Sequence, residues 1–371
     1  MLEKLMFKKL ILKKLVMLGT LMLSSLNAYS DPLKSAILYV GPTNVASADP
    51  GAVDGYNWVK WSKTDIDRFS DSTNGFIIMP TGGHANSYEY ANYKYNAYNP
   101  WQPNNTYYNY SLYIKDIRKT VQSIYESRGT SSSVYISMPR YRNHWTNPYY
   151  RYYSDAPVRD FMVDLKANVD AVTGGNSAFW DNSVKGFYIV EETFDGCVQL
   201  NTSGFCVNNE GYDGDFKYFR DVRSKLNNIH PGKELIWAPH YAVEGDNYHG
   251  GGDTTPYKKL SQTLKWQNIN GTIFDRILMQ PGYANAKPCS NCFRIIADRL
   301  NTQSINGVPA GNTRLGAVME LIDGNDANNE YYAQRLQFYR HNTDFTFYFS
   351  AWKGTIEPWI NPFYNGVKYY E

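Results

Sequence analysis

The sequence is short of charge, of cysteine and of long apolar runs. It holds 37 Lys and Arg against 35 Asp and Glu, a formal net charge of +2. Five lysines and one glutamate fall in the first 30 residues and carry four of the positive charges. Residues 31–371 are therefore left at −2. Without a basic field, nucleic acid is excluded as an expected partner. The apolar run Leu15–Leu23 is well short of the roughly 20 residues a membrane span needs. No G-x-S-x-G turn and no H-E-x-x-H pair occurs, which removes the usual serine-hydrolase elbow and zinc-protease helix. "VGPTNVASADPG" follows the first strand-like run and is not a phosphate-binding glycine turn.

The first 30 residues combine Lys4, Lys8, Lys9, Lys13 and Lys14, the short apolar run, and small residues at Ala28 and Ser30. That order is the pattern of a secretory signal, leaving residues 31–371 as one exported domain in the periplasm or outside the cell, with no stable membrane span. The four cysteines are Cys197, Cys206, Cys289 and Cys292. An even count in an exported chain implies disulfides. Three pairings are possible; the spacing favours Cys197–Cys206 and Cys289–Cys292, each stapling one loop.

Eight short apolar runs follow: 35–42, 75–83, 133–141, 184–192, 234–242, 274–283, 314–324 and 345–354. They are nearly continuous rather than alternating, as in strands covered on both faces. Helical spacing appears between them at 111–129, 158–175, 216–232, 292–303 and 329–342. Strand–helix repetition predicts a parallel sheet with right-handed crossovers, and eight units predict a (β/α)8 TIM barrel. A doubly wound open sheet is the competing arrangement.

Active residues of such a barrel stand at the C-terminal ends of its strands. Those ends supply His84 on the second strand and Arg140, His144 and Trp145 on the third. Glu191 and Glu192 end the fourth, and His240 and Tyr241 the fifth. Gln280 and Tyr283 end the sixth, Glu320 stands in the seventh, and Trp352 and Lys353 end the eighth. Strand side chains alternate, so Glu191 and Glu192 point oppositely, and Glu192 is expected to face the pocket. Glu320 sits inside the apolar "GAVMEL", where a lone buried carboxylate is costly without a partner or a task. Two carboxylates across one mouth are what glycoside hydrolysis commonly uses, one as acid and one as nucleophile or base. The 33 tyrosines and nine tryptophans add flat amphipathic faces suited to sugars.

Strand-end glutamates on strands four and seven resemble the retaining (β/α)8 glycosidase clan. That resemblance implies Glu192 as acid/base and Glu320 as nucleophile, with Tyr283 of "QPGY" and Trp352 of "FSAW" lining the pocket. The residue before the acid/base is Glu191, where that clan has Asn. "ILYVGP", "GFYIVEET", "FDRILMQPGY" and "GAVMEL", in this order, are also similar to a bacterial family described only as glycoside-hydrolase-like. The expected activity is retaining hydrolysis of a poly- or oligosaccharide without cofactor or bound metal. Glu191, His84, Arg140, His144, Trp145, His240, Tyr241, Gln280, Tyr283 and Trp352 are the expected sugar contacts. The alternative is a non-catalytic barrel that binds glycan or serves adhesion. A weaker constellation, His240, Glu244, Asp246, His249 and Asp253, has imidazole and carboxylate ligands but no recognised metal spacing.

Overall fold

The computed structural model describes residues 31–43, 49–53, 56–80, 111–138, 156–175, 177–189, 199–200, 206–207, 214–239, 255–280, 290–321, 326–349 and 352–369. Eight strands form its centre: β1 (Lys34–Thr43), β2 (Gly75–Pro80), β3 (Ser133–Ser137), β4 (Val184–Ile189), β5 (Glu234–Trp237), β6 (Arg276–Met279), β7 (Arg314–Leu321) and β8 (Phe345–Phe349). Each pairs in parallel with the next, from β1–β2 through β7–β8. β8 then pairs in parallel with β1, joining Lys34 to Phe345 and Ala36 to Phe347. That last ladder closes the sheet, so the molecule is a (β/α)8 barrel and not an open doubly wound sheet.

A helix follows every strand: α1 (Lys63–Asp67), α2 (Ser111–Arg128), α3 (Ala156–Val172), α4 (Gly214–Ile229), α5 (Thr255–Asn270), α6 (Ser290–Thr302), α7 (Asp326–Leu336) and α8 (Asn361–Tyr364). The five helices expected from spacing are present with ends within a few residues, except that α7 stops at Leu336. The apolar spacing predicts no helix over 255–270, because the buried face of α5 is partly polar. Ser261, Thr263 and Gln267 are buried beside Leu260 and Leu264. Gln267 acts as a wedge: its amide oxygen accepts from the Ile273 and Phe274 N–H groups, and its nitrogen donates to Thr313 Oγ1. α1 is too short to show a period, but Ser62 and Asp65 cap it reciprocally.

Aromatic side chains fill the layer between barrel and helices. Trp237 of β5 stacks on Phe274 at 5.0 Å, and Phe219 of α4 packs on both. Tyr113 of α2 stacks on Phe161 of α3 at 5.9 Å, and its hydroxyl donates to Ser137 O at 2.9 Å. That bond ties the helix layer to the C-terminal end of β3. Burying each of these rings contributes about 1.5–3 kcal/mol.

The other end of the barrel is ionic. Arg276 donates to Glu234 Oε2 and to Asp344 Oδ2, both at 2.7 Å. Arg314 meets Asp344 Oδ1 at 3.1 Å, the Leu33 N–H donates to the same oxygen, and Tyr135 Oη donates to Glu234 at 2.6 Å. These groups cluster at the strand starts, far from the mouth; Arg276 and Asp344 are buried, while Glu234 and Arg314 are partly exposed.

Candidate active site

The direction of Glu320 follows from its neighbours. Phe345 and Phe347 of β8 pack on Phe363 of α8, with ring centroids 5.6 and 5.3 Å apart. Both therefore face the helix layer. Thr346, between them, faces the barrel interior, where Ser35 Oγ donates to its hydroxyl at 2.8 Å. The β7–β8 register sets Val318 beside Thr346 and Glu320 beside Tyr348. Registered neighbours in a sheet project to the same side. Glu320 thus projects into the barrel one residue before β7 ends, at its C-terminal end and half-buried.

Its charge is felt in the surroundings. Tyr332 of α7 is fully buried. Burial first, and then the negative charge of Glu320, push its phenol well above the ordinary range. Tyr332 accordingly remains a neutral phenol at any physiological pH.

Gln280, on the interior-facing parity of β6 with Arg276, is also buried at the mouth. Its amide nitrogen donates to Ala238 O at 2.9 Å, and its backbone N–H donates to Pro239 O at 3.2 Å. It therefore holds the ends of β5 and β6 together, whatever else it touches. On β4, Phe187 contacts the rings of Trp180 and His230 in the helix layer. Gly186 and Tyr188 consequently occupy the interior parity.

The remaining expected contacts, Glu191, Glu192, His84, Arg140, His144, Trp145, His240, Tyr241 and Tyr283, lie outside the described residues. So does the His240–Asp253 segment. Among the described residues there is no group of three or more His, Cys, Asp or Glu that could hold a metal ion. No described helix is long and apolar enough to cross a membrane. Cys206 lies in a two-residue strand, registered with Leu200, and Cys292 lies in α6. The side chains of the four cysteines lie outside the described residues.

The exit from β8 is fixed by polar contacts that sequence reading did not assemble. Trp352 opens a 3₁₀ turn, Trp352–Thr355, followed by a π-helical turn, Ile356–Ile360. Lys353 Nζ donates to Asp65 Oδ2 at 2.7 Å and lies 5.5 Å from the Trp61 ring centroid. Trp61 is itself buried and donates from Nε1 to Tyr39 O of β1. Arg68 grips Glu357 with two bonds, at 2.5 and 2.7 Å, and donates to Lys353 O at 2.8 Å. Asn361 closes the set, donating to Arg68 O and accepting from the Ser70 N–H. The sequence signal was the capping box Ser62-Lys63-Thr64-Asp65; its carboxylate serves Lys353 as well.

No family model matches the sequence, and no curated protein is similar to it at a significant level. Among solved structures, a GH18 chitinase from Pseudoalteromonas aurantia is 13% identical, with 90% of this chain and 98% of that chain covered and a TM-score of 0.41. A psychrophilic glycoside hydrolase family 10 endo-β-1,4-xylanase is 12% identical over 80% of this chain and 89% of that one, with a TM-score of 0.40. The intracellular xylanase TsXylA of Thermoanaerobacterium saccharolyticum is 12% identical over 75% and 80%, with a TM-score of 0.38. At TM-scores below 0.5 these likenesses bear on neither activity nor substrate.

Proposed function

We propose that the chain is a secreted glycoside hydrolase that cleaves a poly- or oligosaccharide with retention of configuration. The observation that carries this reading is Glu320: one carboxylate, inward on β7 at the mouth of a closed barrel, in a strand otherwise apolar beyond Arg314. Active groups of such barrels stand at that end. Glu192 is its proposed partner. Glu192, rather than Glu191, is proposed on the same alternation of strand side chains that turns Gly186 and Tyr188 inward along β4. Both assignments also accord with the resemblance carried by "GFYIVEET" and "GAVMEL".

In this mechanism Glu320, ionised, attacks the anomeric carbon while Glu192 gives its proton to the departing glycosidic oxygen. A covalent glycosyl ester on Glu320 results. Glu192, now a carboxylate, takes a proton from water, which attacks the same carbon and releases Glu320. Glu192 needs a raised pKa to start protonated, which burial or a neighbouring carboxylate such as Glu191 supplies. Tyr283 is proposed to donate to Glu320 and keep it ionised, while the aromatic side chains of Trp145, Tyr241 and Trp352 stack on sugar faces. His84, Arg140, His144, His240 and Gln280 are proposed polar contacts. Export by residues 1–30 and the two cysteine staples belong to the same proposal.

The test is release of reducing ends by the full chain on a polysaccharide panel, beside Glu192→Gln and Glu320→Gln. Turnover in the parent, reduced by orders of magnitude in both variants, is the expected result. Turnover that survives both changes removes this site. Binding without turnover in all three turns the reading to a glycan-binding barrel, which the Glu at position 191, in place of the clan's Asn, favours.

A further inference from the structure

We propose that Asn306 is a self-modification site: the backbone nitrogen of Gly307 converts it, without an enzyme, to aspartate and isoaspartate. The hairpin that carries it lies between α6 and the start of β7, at the end of the barrel away from the mouth. The inference is therefore independent of the hydrolase reading.

Asn-Gly occurs four times, at 74–75, 270–271, 306–307 and 365–366. Each pair has the residues for the reaction, because glycine has no Cβ to keep its nitrogen from the preceding side chain. The fold separates the four. Asn74 Oδ1 accepts from the Lys34 N–H at 2.7 Å, and Gly75 is buried as the first residue of β2. Asn270 ends α5; its amide donates to Trp266 O at 3.1 Å, and the Gly271 N–H donates to Gln267 O at 2.9 Å. Asn365 caps α8, and the Gly366 N–H donates to Phe363 O at 3.2 Å. In each of these three the amide or the attacking nitrogen is already held.

Asn306 differs in all these respects. It and Gly307 form the tip between the two-residue strands Ser304–Ile305 and Val308–Pro309, with Ile305 paired to Val308. Their φ angles, +51° and +73°, are those of a two-residue hairpin turn. Both residues are exposed, and beyond its chain neighbours nothing lies within 4 Å of where a Gly307 Cβ would stand. Among the described residues, the Gly307 N–H has no hydrogen-bond partner. The Asn306 amide has one there, Arg299 at 3.4 Å, which is long for an N–H donor. The attack needs a rotation about the Asn306 Cα–C bond, which opens the tip. Two residue pairs close this hairpin, whereas the other sites require a helix end or a barrel strand to open.

The step balances with water as the only other reactant. The Gly307 nitrogen loses its proton to solvent and attacks Asn306 Cγ. The new N–Cγ bond closes a cyclic imide, the Cγ–Nδ2 bond breaks, and the side-chain nitrogen leaves as ammonia. Water then opens the imide. Cleavage of the new bond gives aspartate. Cleavage of the original peptide bond gives isoaspartate, with the main chain running through Cγ. Either product places a carboxylate near Arg299, and the isoaspartate form lengthens the turn by a backbone carbon.

The experiment holds the full chain in mildly alkaline buffer, folded in one series and in concentrated guanidinium chloride in another. Peptides covering the four sites are quantified over time by mass spectrometry, with isoaspartate separated from aspartate by retention. In the folded chain, Asn306 is expected to convert about tenfold faster than each of the other three. In denaturant the four rates are expected to lie within about twofold of one another, since the fold no longer selects among them. Gly307→Ala, whose methyl group crowds the attacking nitrogen, is expected to lose most of the conversion at position 306 and to leave the other three rates unchanged. A folded chain in which Asn74, Asn270 or Asn365 converts first overturns the inference. So does an Asn306 that stays intact while the denatured chain converts, or a lead of Asn306 that persists in denaturant.

Discussion

Replacing Arg276 by Met removes the centre of the ionic cluster at the base of the barrel. The side chain of Arg276 is 5% exposed and that of Asp344 is fully buried. Asp344 keeps Arg314 and the Leu33 N–H after the change. Among the described residues, Glu234 keeps only the Tyr135 hydroxyl at direct hydrogen-bond distance. Breaking a buried pair from one side costs roughly 3–5 kcal/mol, because the surviving charge is left uncompensated. The partners that Asp344 retains put the expected loss at the lower end, about 3 kcal/mol. That is a large share of the roughly 5–15 kcal/mol by which domains are stable. Equilibrium urea unfolding of parent and variant at pH 7 measures it as a shift in midpoint at constant slope.

The pH dependence adds a second reading of the same variant. Burial alone would raise the Glu234 carboxyl, but Arg276, Tyr135 and Arg314 outweigh it and hold it below the ordinary carboxylate range near 4.5. A depressed carboxyl stabilises the fold above its unfolded pKa, and that stability is lost as pH falls through the folded value. In Arg276→Met the largest opposing contribution is lost and only Tyr135 and Arg314 remain against burial, so the carboxyl takes a proton at higher pH than in the parent. The cost of the substitution is thus expected to shrink between pH 7 and pH 4. A loss below about 1 kcal/mol at pH 7, or one that grows toward pH 4, refutes this account of the base.

Gly186→Ala is expected to destabilise by about 3 kcal/mol or more, since its Cβ would lie 2.0 Å from the Glu234 backbone oxygen; thermal unfolding reads this directly. Tyr113→Phe deletes the hydroxyl that donates to Ser137 O and should cost about 1 kcal/mol by urea unfolding. Lys233 donates to the Trp180 and Val184 carbonyls, and burial lowers its ammonium to about 8. A depressed ammonium loses its proton in the folded chain first. Stability should therefore rise from pH 8 toward pH 10 relative to Lys233→Met, as paired denaturation curves would show. Glu192→Gln, if this residue is the general acid, should lower kcat by about 10²–10⁴, measured by reducing-end release.

The barrel was legible because each strand is buried on both faces and so reads as an unbroken apolar run. "AVMEL" showed its carboxylate for the same reason: Glu320 is a lone charge among Val318, Met319 and Leu321. Its inward direction was not legible, because that depends on Phe345 and Phe347 facing Phe363 and on the β7–β8 register. The base cluster was hidden differently. Glu234, Arg276 and Asp344 each stand at a strand start, where a charged residue is unremarkable by itself. Pairing of β5 with β6, and packing across the barrel interior to the start of β8, bring together groups 42 and 68 positions apart. α5 is not legible because buried Ser261, Thr263 and Gln267 interrupt the apolar spacing that identifies an amphipathic helix. The contacts at Lys353 and Glu357 join residues near 65 to residues near 355, which the β8–β1 closure makes neighbours.

The separation of the Glu192 and Glu320 carboxyl groups in a crystal structure of the full chain tests the central claim most directly. The account predicts both groups at the barrel mouth, about 5–5.5 Å apart, the spacing of a retaining pair. A separation of about 6.5–9.5 Å would contradict retention, and one beyond about 10 Å, or a Glu192 turned toward the helix layer, would contradict hydrolysis by this pair.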